Sequence, residues 1–225
     1  MFGRSKWDVW PCTHSCTAFF HIAKSEVSHL VPAPLVVEED GEGRAQIVVS
    51  YIRFRAGTHS LPATEELAWG IAVKRIKGLG LAIYAMNVAA DNVGFLDYNA
   101  GIGFDVHRPP VRFDTDLDRR TFRVEDDAGP ICTLRHQPEG SLPLPFLPFT
   151  TEDWTGRAGS LERRLFKWRG VAKLHLAAAV ATTLHDHPFF RGARVSRANP
   201  VPAMVLSSTK VQNAAQCFSA PTPYA

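Results

Sequence analysis

The stretch "AQIVVSYIRFRA", residues Ala45 to Ala56, has the pattern of a long β-strand. Half of its residues are β-branched or aromatic, and its side chains alternate between two faces. Val49 and Tyr51 lie on one face, while Val48 and Ile52 lie on the other. We therefore predict a strand here and ask whether the neighbouring segments continue the pattern.

Short strand-like segments occur on both sides of this stretch. They are separated by Gly, Pro and Asp and run over Thr17 to Ala23, Leu79 to Val88, Val111 to Asp116, Arg120 to Asp126 and Gly129 to Gln137. "EELAWGIAVKR" (Glu65 to Arg75) fits a strand, although its Glu, Leu, Ala and Lys also favour a helix. A short helix is predicted over Ala23 to Val31, with Ser25 as its cap. Regular short strands indicate a mostly β protein, either a barrel or a curved two-sheet sandwich.

The C-terminal half is harder to interpret. The proline-rich segment Pro138 to Asp153 cannot be a central strand or a helix interior, so we expect a lid or a connecting loop. Lys173 to Phe190 fits either a helix or two strands. Pro200 to Phe218 is predicted to form a final strand pair.

Composition limits the class of protein. The 225 residues, of which 45% are hydrophobic and 21% charged, suit one folded domain over residues 1–225. A net charge of +3 with scattered arginines argues against a nucleic-acid partner. The longest apolar run is too short for a membrane span and the N-terminus lacks a signal-peptide pattern, so a cytoplasmic protein is expected. The oligomeric state is not fixed by sequence, and a homo-oligomer remains open.

Five separated features resemble acetoacetate decarboxylases. The similar segments are "FHIAKSEVSHLVPAPLVV" (Phe20 to Val37), "EELAWGIAV" (Glu65 to Val73), "GIGFDVHRPPVRF" (Gly101 to Phe113), "LHDHPFF" (Leu184 to Phe190) and "NPVPAMVLSSTK" (Asn199 to Lys210). Their order and spacing resemble the family over roughly Thr17 to Ser219. The resemblance implies a closed, cone-like β-barrel, mostly β with short helices, that holds a small-molecule pocket.

The same resemblance implies imine chemistry, but this chain lacks the residue for it. In the family, one lysine of this loop forms a Schiff base, and a neighbouring cation lowers the pKa of that lysine. Acetoacetate decarboxylase is the standard example of a lysine activated in this way. The similar positions here are Asp105, Val106 and His107. Valine has no nucleophile, and the family's pocket arginine near the N-terminus has no clear match. The iminium mechanism therefore cannot operate from Val106.

The remaining candidates favour acid–base chemistry. Glu66 is similar to the family's pocket glutamate, with Glu65 as the alternative, and a buried carboxyl group can act as an acid or base. His107 can shuttle protons or can be a structural surface residue, and Asp105 can fix its tautomer or cap a turn. We predict that Glu66 and the loop Phe104 to Arg108 face a common cavity. The predicted substrate-binding residues are Trp69, Phe95, Phe104, Arg108, Met204 and Lys210.

Metal and cofactor sites are not expected. "CTHSC" (Cys12 to Cys16) lacks the second cysteine pair of a zinc finger, and small apolar residues entering a strand are the favoured interpretation. "HDH" (His185 to His187) places two imidazoles on one face of a strand, but no third ligand is fixed by the local sequence.

Three functions remain open. The first is an enzyme of this fold that uses proton transfer, dehydration, cyclisation or decarboxylation on a carbonyl-rich metabolite, of a type found in secondary metabolism. The second is a non-catalytic barrel that binds an apolar ligand. The third is a decarboxylase with a relocated lysine, for which Lys210 and Lys173 are the candidates.

Overall fold

The computed structural model describes residues 8–75, 81–119, 121–136, 141–144, 150–157, 160–169, 172–175, 180–209, 215–218 and 222–223. Its strands are β1 Asp8–Ala23, β2 Arg44–Phe54, β3 Thr64–Val73, β4 Ala82–Ala90, β5 Arg112–Asp116, β6 Thr121–Asp126, β7 Gly129–His136, β8 Ser141–Leu144, β9 Thr150–Arg157, β10 Ser160–Arg169, β11 Ala172–His175, β12 Val180–Leu184, β13 Asn199–Thr209, β14 Ala215–Phe218 and β15 Thr222–Pro223. One α-helix, α1, spans Val93–Gly101. Single 3₁₀ turns occur at Lys24–Glu26, Ser28–Leu30, Thr58–Ser60, Pro188–Phe190 and Val195–Arg197.

The strands form two sheets. The large sheet has the order β14-β10-β9-β4-β3-β2-β1-β13-β11-β8, and β15 pairs with β10. The smaller sheet has the order β12-β7-β6-β5. Strand β14 pairs with both β10 and β1, so the hydrogen-bonded path from β1 through β2, β3, β4, β9 and β10 returns to β1. The mostly β prediction is confirmed, and the closed barrel stays a prediction.

The two faces of the large sheet have different environments. Leu67, Trp69 and Ile71 on β3 lie in the main core, which also contains Phe122 and Leu134 of the smaller sheet. The alternate face of the same strands packs a second apolar cluster with side chains from α1. We call the face that carries Leu67, Trp69 and Ile71 the outer face, and the face that packs against α1 the inner face.

Several local predictions needed correction. The predicted helix over Ala23 to Val31 is two 3₁₀ turns, and Ser25 lies inside the first turn rather than capping it. The segment Glu65 to Arg75 is mostly strand β3, as predicted, and its large apolar residues Leu67, Trp69, Ile71 and Val73 occupy every second position. Strands β13 and β14 are both present, but each pairs with β1 and not with the other.

The proline-rich segment Pro138 to Asp153 also differs from the prediction. It contains the edge strand β8, as the rule for proline in sheets allows, but its last residues begin the central strand β9. The segment Lys173 to Phe190 contains strands β11 and β12 rather than a helix. Among the residues that the structure describes, no helix combines the length and the apolar character needed to cross a bilayer.

Candidate functional site

Glu66 points to the inner face of the large sheet. It is paired with Ile52 on β2 and Ala90 on β4, and both belong to the inner apolar cluster. Directly opposed residues in an antiparallel sheet project to the same side, so the carboxyl group enters that cluster. The side chain is only 7% exposed.

Burial raises the pKa of Glu66 to about 8. A buried carboxylate without a compensating charge is unfavourable, so the protonated form is preferred. No hydrogen bond or ion pair of Glu66 is found in the described part of the chain. The raised pKa favours the protonated carboxyl group, which can donate a hydrogen bond to a ligand.

The loop after α1 covers this region. Val106 forms a parallel bridge with Val88 of β4, and the backbone N–H of Val88 donates to Asp105 O at 3.0 Å. The side chains of Phe104 and Val106 pack against the inner cluster. The position where the family resemblance places the imine-forming lysine is thus on the same face as Glu66.

Part of the inner face keeps accessible surface. Ala68, Ile83 and Ala85 lie in the middle of strands that are paired on both sides, yet each keeps some accessible surface. Asp153 on β9 is paired with Ile83 and therefore projects to the same side. Burial raises the pKa of Asp153 to about 7, although a hydrogen bond from Thr151 opposes the shift. A carboxyl group that is enclosed by protein and still partly accessible indicates an internal space.

Arg164 supplies a buried cation on this face. It is the register partner of Asp153, and its side chain is 7% exposed. Its Nη2 donates to Ile102 O at 2.7 Å, which brings the guanidinium to the loop after α1. Burial lowers the pKa of Arg164, while Glu162 and Tyr98 oppose the shift. Within the described residues, Arg164 Nε and Thr155 Oγ1 have no hydrogen-bond partner.

His107 projects to the outer face, because it directly follows Val106 in an extended segment. Its Nε2 lies 2.7 Å from Asp126 Oδ2, and His187 Nε2 lies 2.9 Å from Asp126 Oδ1. The Ala128 N–H also donates to Asp126 Oδ1 at 2.7 Å. Burial favours a raised pKa for Asp126, but the hydrogen bonds outweigh it and the pKa is lowered. The register thus does not support the expected common cavity for Glu66 and His107.

The other predicted residues are dispersed. Asp105 pairs with Arg191, and Arg108 pairs with Asp97 at an exposed position. Trp69 lies on the outer face, where its Nε1 donates to Phe189 O at 3.0 Å. Phe95 and Phe104 pack in the inner cluster, and their role in substrate binding stays a prediction. Met204 lies on β13 and Lys173 lies on β11, but the structure does not describe their side chains. Lys210 lies outside the described residues.

The "HDH" segment does not form the predicted strand face. His185 to His187 follow β12 in irregular backbone, and Asp186 accepts hydrogen bonds from the backbone N–H and the hydroxyl of Ser196. No group of three or more His, Cys, Asp or Glu side chains suited to a metal ion occurs in the described ranges.

Sequence reasoning missed Arg164, Asp153 and Asp126. The signal for the first two was present in "TTEDWTGR" and "SLERRLFKWR", where charged residues are interspersed with Trp154 and Leu165. Charged residues among apolar ones in a strand indicate a polar group facing an interior. Asp126 ends β6 and gave no local signal, because its partners are distant in sequence.

Comparison with solved structures identifies the fold. Acetoacetate decarboxylase from Legionella pneumophila superposes with a TM-score of 0.69 at 9% identity, covering 97% of this chain and 87% of that chain. An acetoacetate decarboxylase-like enzyme from Sphingomonas wittichii gives a TM-score of 0.62 at 11% identity, covering 99% and 94%. The enduracididine biosynthesis enzyme MppR, in complex with the condensation product of pyruvate and imidazole 4-carboxaldehyde, gives 0.60 at 8% identity, covering 96% and 88%.

No family model and no curated protein matches the sequence. At identities of 8% to 11%, the likeness to these solved structures shows the fold alone. The chain thus has the acetoacetate decarboxylase-like fold, with a valine where the resemblance places the Schiff-base lysine.

Proposed function

We propose that the protein is an enzyme that performs acid–base chemistry on a small carbonyl compound carrying a carboxylate. The observation that carries the proposal is the neutral carboxyl group of Glu66, which shares the inner face with Val106. A loop with no amine at position 106 cannot form an imine there, whereas a protonated acid in an apolar hollow is suited to polarising a carbonyl group.

Glu66 donates a hydrogen bond to the substrate carbonyl oxygen and transfers its proton as negative charge develops there. The apolar residues around it strengthen this interaction, because they exclude water and lower the local dielectric. The proton on the carbon next to the carbonyl passes to a base on the same face, for which the carboxylate of Asp153 is the candidate, whereas in decarboxylation carbon dioxide leaves instead. Enolisation of this kind is shared by proton transfer, dehydration, cyclisation and decarboxylation of carbonyl compounds. Those four reactions define the proposed range of activity.

Arg164 binds the substrate carboxylate. It is a buried cation on the Glu66 face and has an unpartnered Nε within the described residues. A guanidinium is the preferred partner for a carboxylate, since it can donate two parallel hydrogen bonds. The family's arginine near the N-terminus still has no clear match in this chain, and in this proposal strand β10 supplies the cation instead.

A closed barrel is part of this proposal. The pairing of β14 with both β1 and β10 supports a ring of strands around the hollow. A closed ring removes bulk water from the inner face, which is the condition that the proposed acid requires.

Deuterium incorporation tests the proposal without knowledge of the natural substrate. Pyruvate, acetoacetate and oxaloacetate are incubated with the protein in D₂O, and loss of the proton signals next to the carbonyl is followed by NMR. We expect wild-type exchange above buffer and a roughly 10²- to 10⁴-fold loss in Glu66→Gln. Glu65→Gln is the matched control, because Glu65 lies on the outer face and accepts from Thr115 at 2.8 Å.

The two alternatives give different results in the same experiment. A non-catalytic binding protein, which the apolar inner cluster also suits, shifts the ligand signals but gives no exchange. A relocated lysine gives a covalent adduct after borohydride reduction, which mass spectrometry locates on the chain. Exchange that is equal in wild type and Glu66→Gln contradicts the proposed role of Glu66.

A further inference from the structure

The cluster formed by His107, Asp126 and His187 lies on the outer face, opposite the proposed site. All three side chains are buried. Each oxygen of Asp126 accepts from the Nε2 atom of a different imidazole. The cluster joins three separate segments: the loop after α1, the end of β6 and the segment after β12.

The hydrogen bonds define the protonation of one ring. His187 Nδ1 accepts from the Phe189 N–H at 3.1 Å, so this nitrogen carries no proton. A neutral imidazole must then carry its proton on Nε2, which donates to Asp126 Oδ1. His187 therefore fixes the carboxylate, and the carboxylate in turn holds His107.

The backbone on either side of His107 is fixed as well. The His107 N–H donates to Val88 O at 2.7 Å, and the Val88 N–H donates to Asp105 O. The ring of His107 lies edge-on to that of Phe189 at a centroid distance of 5.6 Å. Since neighbouring residues of an extended segment point to opposite faces, an anchor at His107 determines where Val106 lies.

We infer that this cluster is a positioning device, which holds Phe104 and Val106 against the inner apolar cluster and thereby keeps water away from Glu66. The inference concerns the chain itself and does not depend on a substrate. In this inference, His107 holds Phe104 and Val106 of the loop in place and does not contact the reacting atoms.

The groups around the cluster support this assignment. The charged or titratable side chains bonded to it, among the described residues, are its own three members. Next to it on the loop, Asp105 pairs with Arg191 at partly exposed positions. An exposed ion pair contributes little to stability, so the buried cluster is the anchor of the loop.

The test measures the pKa of Glu66 by carbon NMR on protein labelled at the glutamate carboxyl groups. The resonance of Glu66 is assigned as the one absent from Glu66→Gln. We expect a pKa of about 8 in wild type. In His107→Leu, which cannot bond Asp126, water reaches the carboxyl group and the pKa falls by at least about one unit toward its ordinary value.

Two further variants separate positioning from a general loss of stability. His107→Gln keeps an N–H donor near the place of Nε2, so the pKa of Glu66 returns toward the wild-type value. Arg191→Gln breaks only the exposed pair beside the cluster and leaves the pKa unchanged. An unchanged pKa in His107→Leu, or an equal fall in all three variants, overturns the inference. If His107→Leu does not fold, a wild-type pKa in folded Asp126→Asn overturns it instead.

Discussion

Glu65 and Glu66 are adjacent in sequence and lie on opposite faces of β3. Glu65 accepts hydrogen bonds from Tyr51 and Thr115, whereas Glu66 enters the apolar inner cluster. Burial and the bond to Glu65 raise the pKa of Tyr51, so its hydroxyl group stays protonated and can donate. One glutamate is therefore satisfied by protein groups, and its neighbour is held as a neutral acid.

The free energy of unfolding should decrease as pH rises, because of Glu66. Its folded pKa of about 8 lies above the ordinary glutamate pKa of 4.5, so the folded state binds the proton more tightly than the unfolded chain. This contribution is complete below the unfolded value and is lost as pH rises to about 8, at up to about 1.4 kcal/mol per pH unit. Urea unfolding from pH 5 to 9 should show the decline in wild type and a weaker one in Glu66→Gln. A parallel decline in both would contradict the assignment.

Removal of the shared carboxylate at Asp126 should destabilise the fold. Asp126→Ala leaves two buried imidazoles without their acceptor, and we expect a loss of about 3 kcal/mol in the free energy of unfolding at pH 7. Because the folded pKa of Asp126 is lowered, its contribution is present above the ordinary aspartate pKa of 3.8 and is lost as pH falls through the folded pKa. Asp114→Ala, at an exposed position, is the control and should change stability little.

Replacement of Arg164 should affect carboxylate substrates selectively. Arg164→Lys keeps the charge but loses the two-donor geometry, so the KM for pyruvate exchange should rise about 10- to 100-fold. Exchange of acetone, which has no carboxylate, should change little in the same variant. Equal effects on the two compounds would show that Arg164 acts by holding the loop after α1 in place, because its Nη2 also donates to Ile102 O.

Val106→Lys should not create an acetoacetate decarboxylase. The new amine faces the inner cluster, but it lacks the adjacent cationic side chain that lowers the pKa of the imine-forming lysine in the family. The adjacent His107 points to Asp126 on the other face and cannot act as the activating cation. Acetone release from acetoacetate and a borohydride adduct at residue 106 would both contradict this expectation.

Gly70 should not tolerate a side chain. A Cβ at this position meets Ile83 Cγ2 and lies 2.9 Å from the backbone oxygen of Tyr84, where the β3–β4 register shifts. Gly70→Ala should therefore lower the free energy of unfolding by about 1–3 kcal/mol. Gly41→Ala is the matched control, because its Cβ meets no heavy atom within 4 Å. Comparable losses in the two variants would refute the steric explanation.

Much of the strand content was predictable because alternation is a local property. Strand β2 spans Arg44–Phe54, close to the predicted Ala45 to Ala56, and β5, β6 and β7 coincide with predicted segments. Helix α1 was missed, although Asn92 was a usable cap signal, since its side chain accepts from the Phe95 N–H. Its short length and flanking glycines gave no clear helical period.

The sequence by itself determined the strand class, the resemblance to one fold and the absence of a lysine at position 106. The tertiary structure alone decided that Glu66 and His107 face opposite sides, that Arg164 reaches the loop, and that Asp126 joins two histidines. Alternation along a strand shows which residues share a face but not which face is enclosed. That choice depends on the register between strands far apart in sequence, and a shift of one residue would exchange the two faces.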